Sequence, residues 1–447
     1  MPAPNYQTTM VKINKSSNKE LFNLALYNQK NKNFSVAINL YQKLIEINPN
    51  LALVHYNLGL IYEKLAKKDL AKKNYKQAIK IDGLFFYAYN NLGIISHQDG
   101  NKDKAIKYFE KVVEINSEYP NVYNNLGLVY ASKGYYKEAI ANYIKTLKFE
   151  AKSIIAKKSI IHLLTYYVPD NIHPIINANN NLRKLQNKFI FNDLLKVENL
   201  SLIFKKSYEI IKDIENNIDS LDFVETQAYR RNPIDLNCES HHKTFNKLDL
   251  IPKFCFSCFK IQIEPENVLD LIRLFFIFDS LNLSKNNQRK CMVEFRDEIL
   301  GLYKGIIYCT SLEEAEIILE NIRPLLQKHI KYKASIKRGC SEFYKSFPNF
   351  KKVNKTDVKF MSYPKEWSKL EKNQEAKKNL NTIKHSNTVS GLSISDFFVI
   401  NQWLNYAEII NDMSYKKIGL KNFNKEFISQ KLSNQINIRC NEFKNKL

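Results

Sequence analysis

From residue 18 to residue 153 the apolar positions recur at two periods. Locally they fall at helical spacing, as in Tyr123-x-x-Leu126-Gly127-x-x-Tyr130 and then Ala139-x-x-x-Tyr143. The whole pattern then returns every 34 residues, at Leu58-Gly59, Leu92-Gly93 and Leu126-Gly127, with Leu24-Ala25 one interval earlier. Four units align without gaps, 18–51, 52–85, 86–119 and 120–153, and each predicts a helix, a turn and a second helix. Asp99-Gly100 and Lys133-Gly134 mark turns, where glycine accepts positive φ. The first unit is the least regular, as suits an end unit that faces solvent on one side.

The residue types in this repeat each have a steric role. Gly59, Gly93, Gly127, Ala71, Ala105 and Ala139 let paired helices approach, while Tyr75, Phe109 and Tyr143 fill the gaps between them. The pattern resembles the tetratricopeptide-repeat superfamily, over residues 18–153 only. That resemblance implies an all-α solenoid whose hollow holds another polypeptide. Asn23, Asn57, Asn91 and Asn125 share one column, just before each Leu-Gly or Leu-Ala pair. In this the array is similar to the superhelical repeats of O-linked N-acetylglucosamine transferases, where an asparagine ladder grips the backbone of an extended peptide. The resemblance implies a peptide-binding role for these four amides, each able to donate and accept. Against it, asparagine is abundant here, with 53 in the chain. No sugar-nucleotide transferase region follows the repeats, so the resemblance supports a groove and not that activity.

Beyond the repeats the pattern changes twice. Residues 154–228 read as a helical extension, broken at Pro169, Pro174 and Asn179-Asn180-Asn181. Residues 229–350 alternate strand and helix: a strand over 254–264, a helix from Pro265 to Phe278, strands over 290–296 and 304–309, a helix from the capping box Ser311–Glu314 to Lys328, and a strand over 334–338. That order, β-α-β-β-α-β, predicts a ferredoxin-like α+β domain. Residues 351–390 read as a basic linker and 1–17 as a flexible N-terminus. Residues 391–447 form a helical tail opened by an amphipathic helix with Phe397, Ile400, Trp403, Leu404 and Ala407 on its apolar face.

The formal net charge is +23, which ordinarily points to polyanions. Here the excess comes from 59 Lys against 9 Arg, alongside plentiful Asn, Ile, Phe and Tyr, a composition typical of A/T-rich coding sequence. Nucleic acid is therefore the weaker expectation for a partner, and another protein the stronger. No run reaches the roughly 20 apolar residues of a membrane span, and the N-terminus has no signal-peptide core. With seven cysteines that do not read as a disulfide framework, a cytoplasmic protein is expected.

Candidate chemistry lies in the α+β region, which holds seven of the nine arginines and six of the seven cysteines. Cys238-x-x-His241 (with His242 adjacent) and Cys255-x-x-Cys258 have the spacing of a zinc site; no cofactor is expected of the chain otherwise. A strand over 254–264 would oppose it by turning Cys255 and Cys258 to opposite faces. Cys255, Cys258, Cys309 and Cys340 form a weaker thiol set for an iron–sulfur cluster. Arg230, Arg231 and Arg338 are candidates for anion binding. Lys304-Gly305-Ile306-Ile307-Tyr308 keeps part of an RNA-recognition strand but lacks its second aromatic. Phosphate loops, nucleophile elbows and His-Glu metal motifs are absent. The reading that results is a protein-interaction adaptor. Its alternatives are an enzyme in the Cys- and Arg-rich domain with repeats that recruit substrate, and an RNA-binding α+β domain.

Overall fold

The computed structural model describes residues 16–170, 172–218, 221, 223–231, 238–296, 299–354, 357, 359–375, 387–419 and 425–445. The expected flexible segment 1–17 lies outside these residues, apart from the two serines that begin the first helix, and so do 376–386 of the expected linker. The chain divides into two compact units, 1–156 and 157–447.

The first unit is an all-α array of helix pairs: α1 (Ser16–Lys30) with α2 (Phe34–Ile47), α3 (Ala52–Lys64) with α4 (Lys68–Ile81), α5 (Phe86–Gln98) with α6 (Lys102–Ile115), and α7 (Pro120–Ser132) with α8 (Tyr136–Phe149). The last three pairs each close on one contact, where the first pair has Ala25 in the glycine column. A Cβ placed on Gly59 would stand 2.4 Å from the Tyr75 ring, and one on Gly127 would stand 2.7 Å from the Tyr143 ring. Only hydrogen leaves room for the aromatic, which is why a 34-residue Leu-Gly period was visible at all. The turn inside each pair is left-handed at the same column: Gly100 (φ 81°) and Gly134 (φ 80°), but Lys32 (φ 62°) and Ala66 (φ 57°) in the first two pairs. The end unit shows its open edge at Leu24, half exposed, where Leu58, Leu92 and Leu126 are buried.

The second unit opens with helices, α9 (Ile154–Leu163, running across the division), α10 (Pro174–Gln186), α11 (Phe191–Leu194), α12 (Val197–Asp213) and α13 (Glu215–Ile218). The asparagine run does not break α10. Asn179 is buried within it and accepts a hydrogen bond from the backbone N–H of Ile394 at 3.1 Å, so tertiary contact overrides its turn preference.

A five-stranded sheet follows: β1 (Gln227–Arg230), β2 (Phe259–Pro265), β3 (Arg289–Val293), β4 (Tyr303–Cys309) and β5 (Tyr332–Arg338), in the order β1-β3-β4-β2-β5 with every neighbour antiparallel. Strands β2 to β5, with α16 (Val268–Ser280) and α17 (Leu312–His329), carry the expected ferredoxin-like pattern. Ser311 caps α17 as its capping box predicts, accepting from the Glu314 N–H at 3.1 Å. Strand β1 is an addition at the β3 edge that short-run reading missed.

Four expectations are corrected. The first half of the expected strand 254–264 is instead a one-turn helix, α15 (Lys253–Ser257), set up by Pro252 and following α14 (Cys238–Leu248). Pro265 ends β2, and Asn267 caps α16 by accepting from the Asp270 N–H at 2.9 Å. The helix expected to be amphipathic, α19 (Ile394–Ile409), is buried from Ile394 to Ala407 on nearly every side, so it is a central element and not a tail. Its polar residues are accommodated inside: Trp403 Nε1 donates to Thr226 O at 2.8 Å and Gln402 Nε2 to Phe223 O at 2.8 Å. Part of the expected linker is also structured, since Met361 and Trp367 of α18 (Trp367–Glu375) pack on a cluster of Ile251, Cys255, Phe343 and Phe350.

Candidate functional site

In the first unit the asparagine column lies on the first helix of each pair, two residues before the packed glycine or alanine. Its four members do not share one environment. Asn23 is exposed, Asn57 is only 2 % exposed, and Asn91 and Asn125 are half-buried. Asn91 Nδ2 donates to Tyr75 Oη at 3.0 Å, and the Tyr75 hydroxyl in turn donates to Glu63. Burial, and then the bond to Glu63, push the Tyr75 hydroxyl far above the ordinary tyrosine range, so it stays a donor. Asn125 Nδ2 donates to Asn90 Oδ1 at 2.9 Å, which ties α7 to α5. The column therefore helps to hold neighbouring pairs together while leaving Asn23, Asn91 and Asn125 within reach of solvent. The Nδ2 of Asn57 is buried with no hydrogen-bond acceptor.

Beside this column runs an aromatic seam that the sequence reading missed. Tyr56 lies 5.2 Å from Phe85 and 6.0 Å from Tyr87, and Tyr87 lies 5.9 Å from Tyr119, measured between ring centroids. All four rings are partly exposed, and together they span three helix pairs. Phe85 and Tyr119 are one repeat apart, which was the only signal available; Tyr56 and Tyr87 sit in different columns.

In the second unit the arginine candidates serve the fold. Arg230 is buried: its guanidinium meets Asp396 through two bonds of 2.9 and 2.8 Å, lies 2.9 Å from Asp279, and rests over the Phe275 ring. Arg231 binds Thr388 through its own N–H. Arg338 is boxed by the rings of Phe256, Phe259, Phe350 and Phe360, with its N–H groups on the carbonyls of Phe256, Lys352 and Met361. The anion-binding assignment of Arg230 and Arg338 is thus corrected: both are closed off from solvent and their donors are occupied. The clustering of arginine reflects a need for planar, multi-donor clamps on buried carbonyls. Arg183 behaves alike, donating to the carbonyls of Leu164, Val389 and Ser390, whereas Arg323 is an exposed partner of Glu320.

The RNA-recognition expectation meets the same obstacle. Lys304 is buried against Glu294 at 2.7 Å, and a Cβ on Gly305 would stand 2.3 Å from Leu274, so this stretch of β4 is covered. Strand β2, its neighbour, is also mostly buried along its length.

The thiols are brought together, though not in the grouping expected. Cys255 lies on α15 and Cys258 ends it, so the strand alternation that opposed their cooperation does not apply. The Cys340 thiol, just past β5, has those of Cys238 and Cys255 as its neighbours. His242, Cys340 and Glu342 place their ligating atoms within 4.8 Å of one another. His241 points elsewhere, stacked on Phe254 at 5.1 Å. The Cys258 thiol packs against Gly339, and burial pushes it up to about 11. Cys309 turns to the carbonyl of Ile307 in its own strand, outside the Cys238–Cys340 group. Cys255, Cys258, Cys291, Cys309, Cys340 and Cys440 are not joined in disulfides among the described residues.

Tetratricopeptide-repeat models match residues 26–65, 52–83, 86–119 and 120–152. Residues 26–152 are therefore a tetratricopeptide-repeat segment. No curated protein matches the chain. Among solved structures, MamA is similar at 23 % identity over 44 % of this chain and 93 % of its own, with a TM-score of 0.31. PilF of Pseudomonas aeruginosa is similar at 17 % over 45 % and 92 %, TM-score 0.33. PilW, a widely conserved type IV pilus biogenesis factor, is similar at 19 % over 46 % and 96 %, TM-score 0.31. Among the described residues no helix is long and apolar enough to cross a membrane.

Proposed function

We propose that this protein is an adaptor whose repeat array captures an extended segment of another protein, with the second unit as the body it delivers or anchors. The supporting observation is the pair Asn91 and Asn125, half-exposed on successive first helices and one repeat apart. Their carboxamides suit a peptide main chain, which offers one donor and one acceptor per residue. Tyr56, Phe85, Tyr87 and Tyr119 add an apolar ledge for side chains of the bound segment. Recognition of this kind tolerates many sequences, because the amides address backbone. Seven cysteines that do not read as a disulfide framework suit a reducing compartment, in keeping with a cytoplasmic site of action.

The test is affinity capture from a lysate of the source cell with the full chain and with an Asn91→Ala/Asn125→Ala variant. The variant keeps Asn57, which is too buried to touch a ligand. Loss of the captured proteins from a variant that keeps its helical circular dichroism, with an unfolding temperature only modestly lowered by the lost bonds to Tyr75 and Asn90, is the expected outcome. The same proteins at the same yield would remove the amide column from the mechanism.

A further inference from the structure

We infer that Cys238, His242, Cys255 and Cys340 bind a structural zinc ion in the second unit. The argument begins with local geometry. Cys238 and His242 are four residues apart on α14, so both project from one face of the helix. Cys255 comes from the single turn of α15, and Cys340 from the turn that leaves β5. Cys340 is the hub: its sulfur, a ring nitrogen of His242 and a carboxylate oxygen of Glu342 lie within 4.8 Å of one another, and Cys238 and Cys255 are its neighbouring thiols. Thiols from three elements gathered around one imidazole supply the donor types of a four-coordinate zinc site.

The surroundings fit the charge of such a site. Zinc with three thiolates and a neutral imidazole carries one net negative charge. Buried Lys260, on the adjoining β2, has Glu342 and Cys340 as its main attractive neighbours. A thiolate-bound zinc would supply the counter-charge that neutral thiols cannot. The Glu342 carboxylate lies within 4.8 Å of the same His242 ring nitrogen and of the Cys340 sulfur, at the exposed edge of the group.

The site also has work to do in the fold. It would cross-link α14, α15 and the segment after β5, which are otherwise held by a small cluster centred on Ile251, Cys255, Phe343 and Phe350. Satellite cores of this size are where metal ligation adds most. The ligand set differs from the spacing-based one at two places: His242 replaces His241, and Cys340 replaces Cys258.

The test uses the full chain purified without chelator. Elemental analysis is expected to find stoichiometric zinc. After zinc removal, added Co2+ should give the intense visible bands of a tetrahedral site and thiolate-to-metal charge transfer. His242→Ala and Cys340→Ser should lose the metal, while His241→Ala and Cys258→Ser should keep it. Wild-type protein without zinc and without cobalt bands would overturn the site, whether or not the variants fold. Metal retained in Cys340→Ser but lost in Cys258→Ser would overturn the ligand assignment. Loss of two titratable thiols in unreduced, denatured chain would also overturn it, by showing a disulfide in its place.

Discussion

Arg230 and Asp396 stand 166 residues apart in the chain and meet end-on in the interior of the second unit, through two hydrogen bonds of 2.9 and 2.8 Å. Asp279 lies against the remaining edge of the same guanidinium at 2.9 Å. This junction joins edge strand β1 to helices α16 and α19. Removing one partner of a buried pair leaves the other charge stranded, at a cost of about 3–5 kcal/mol. Arg230→Met is therefore expected to lower the denaturation midpoint of the second unit markedly. Arg230→Lys should recover little, because an ammonium cannot face both carboxylates. Chemical denaturation followed by tryptophan fluorescence checks this, since Trp403 lies in the same buried layer.

Ala66 and Lys32 hold left-handed turns that Gly100 and Gly134 hold in the later pairs. A non-glycine residue in that conformation carries a penalty of about 1 kcal/mol, partly offset by the greater chain entropy of glycine in the unfolded state. Ala66→Gly is expected to raise the stability of the repeat array by about 0.5–1 kcal/mol. An unchanged or lower thermal midpoint would mean the strain is absent.

Gly93 lies beneath Phe109, with the position of a Cβ only 2.5 Å from the ring. Gly93→Val is expected to cost about 2–3 kcal/mol through overpacking at this contact. Gly83, which has nothing within 4 Å and no positive φ, provides the control. Gly83→Ala should leave the thermal midpoint of the array almost unmoved, and circular dichroism melts of the two variants test both.

Glu294 is buried between Lys304 at 2.7 Å and Arg296 at 2.9 Å. Burial alone would raise its pKa, but hydrogen bonds from Arg296 and Lys304 prevail and hold it down to about 2. A carboxylate with a depressed folded pKa stabilises the protein above its unfolded value, and that contribution is lost as pH falls toward the folded value. Glu294→Gln is thus expected to cost about 3 kcal/mol at neutral pH, shrinking as pH drops from about 4.5 toward 2. Urea titrations of both proteins across that range check the sign. A difference independent of pH would exclude the ion pairs as its source.

The repeat array was legible because its contacts are local and periodic. Gly59 meets Tyr75 only 16 positions later, and the same offset recurs at Gly93–Phe109 and Gly127–Tyr143. A contact that repeats at fixed spacing leaves a periodic trace in the residues themselves. The ferredoxin-like order was legible for a related reason: β2 to β5 and their helices alternate in chain order, and Ser311 announces α17. Strand β1 was not, because four residues with mixed polarity become a strand only by pairing with β3.

The candidate sites divide in the same way. The asparagine column could be read from spacing, yet the burial of Asn57 and the tie from Asn125 to Asn90 depend on how neighbouring pairs stack. The chain alone identified which residues could ligate metal or bind anions. It did not decide that His242 and not His241 turns toward Cys340, or that Arg230 and Arg338 spend their donors on buried partners. The physical reason is distance along the chain. Helical pairing is settled within a few tens of residues, where pattern and contact coincide. The partners of a buried guanidinium come from separate segments, as much as 166 residues apart for Arg230 and Asp396, and only the packed interior brings them together.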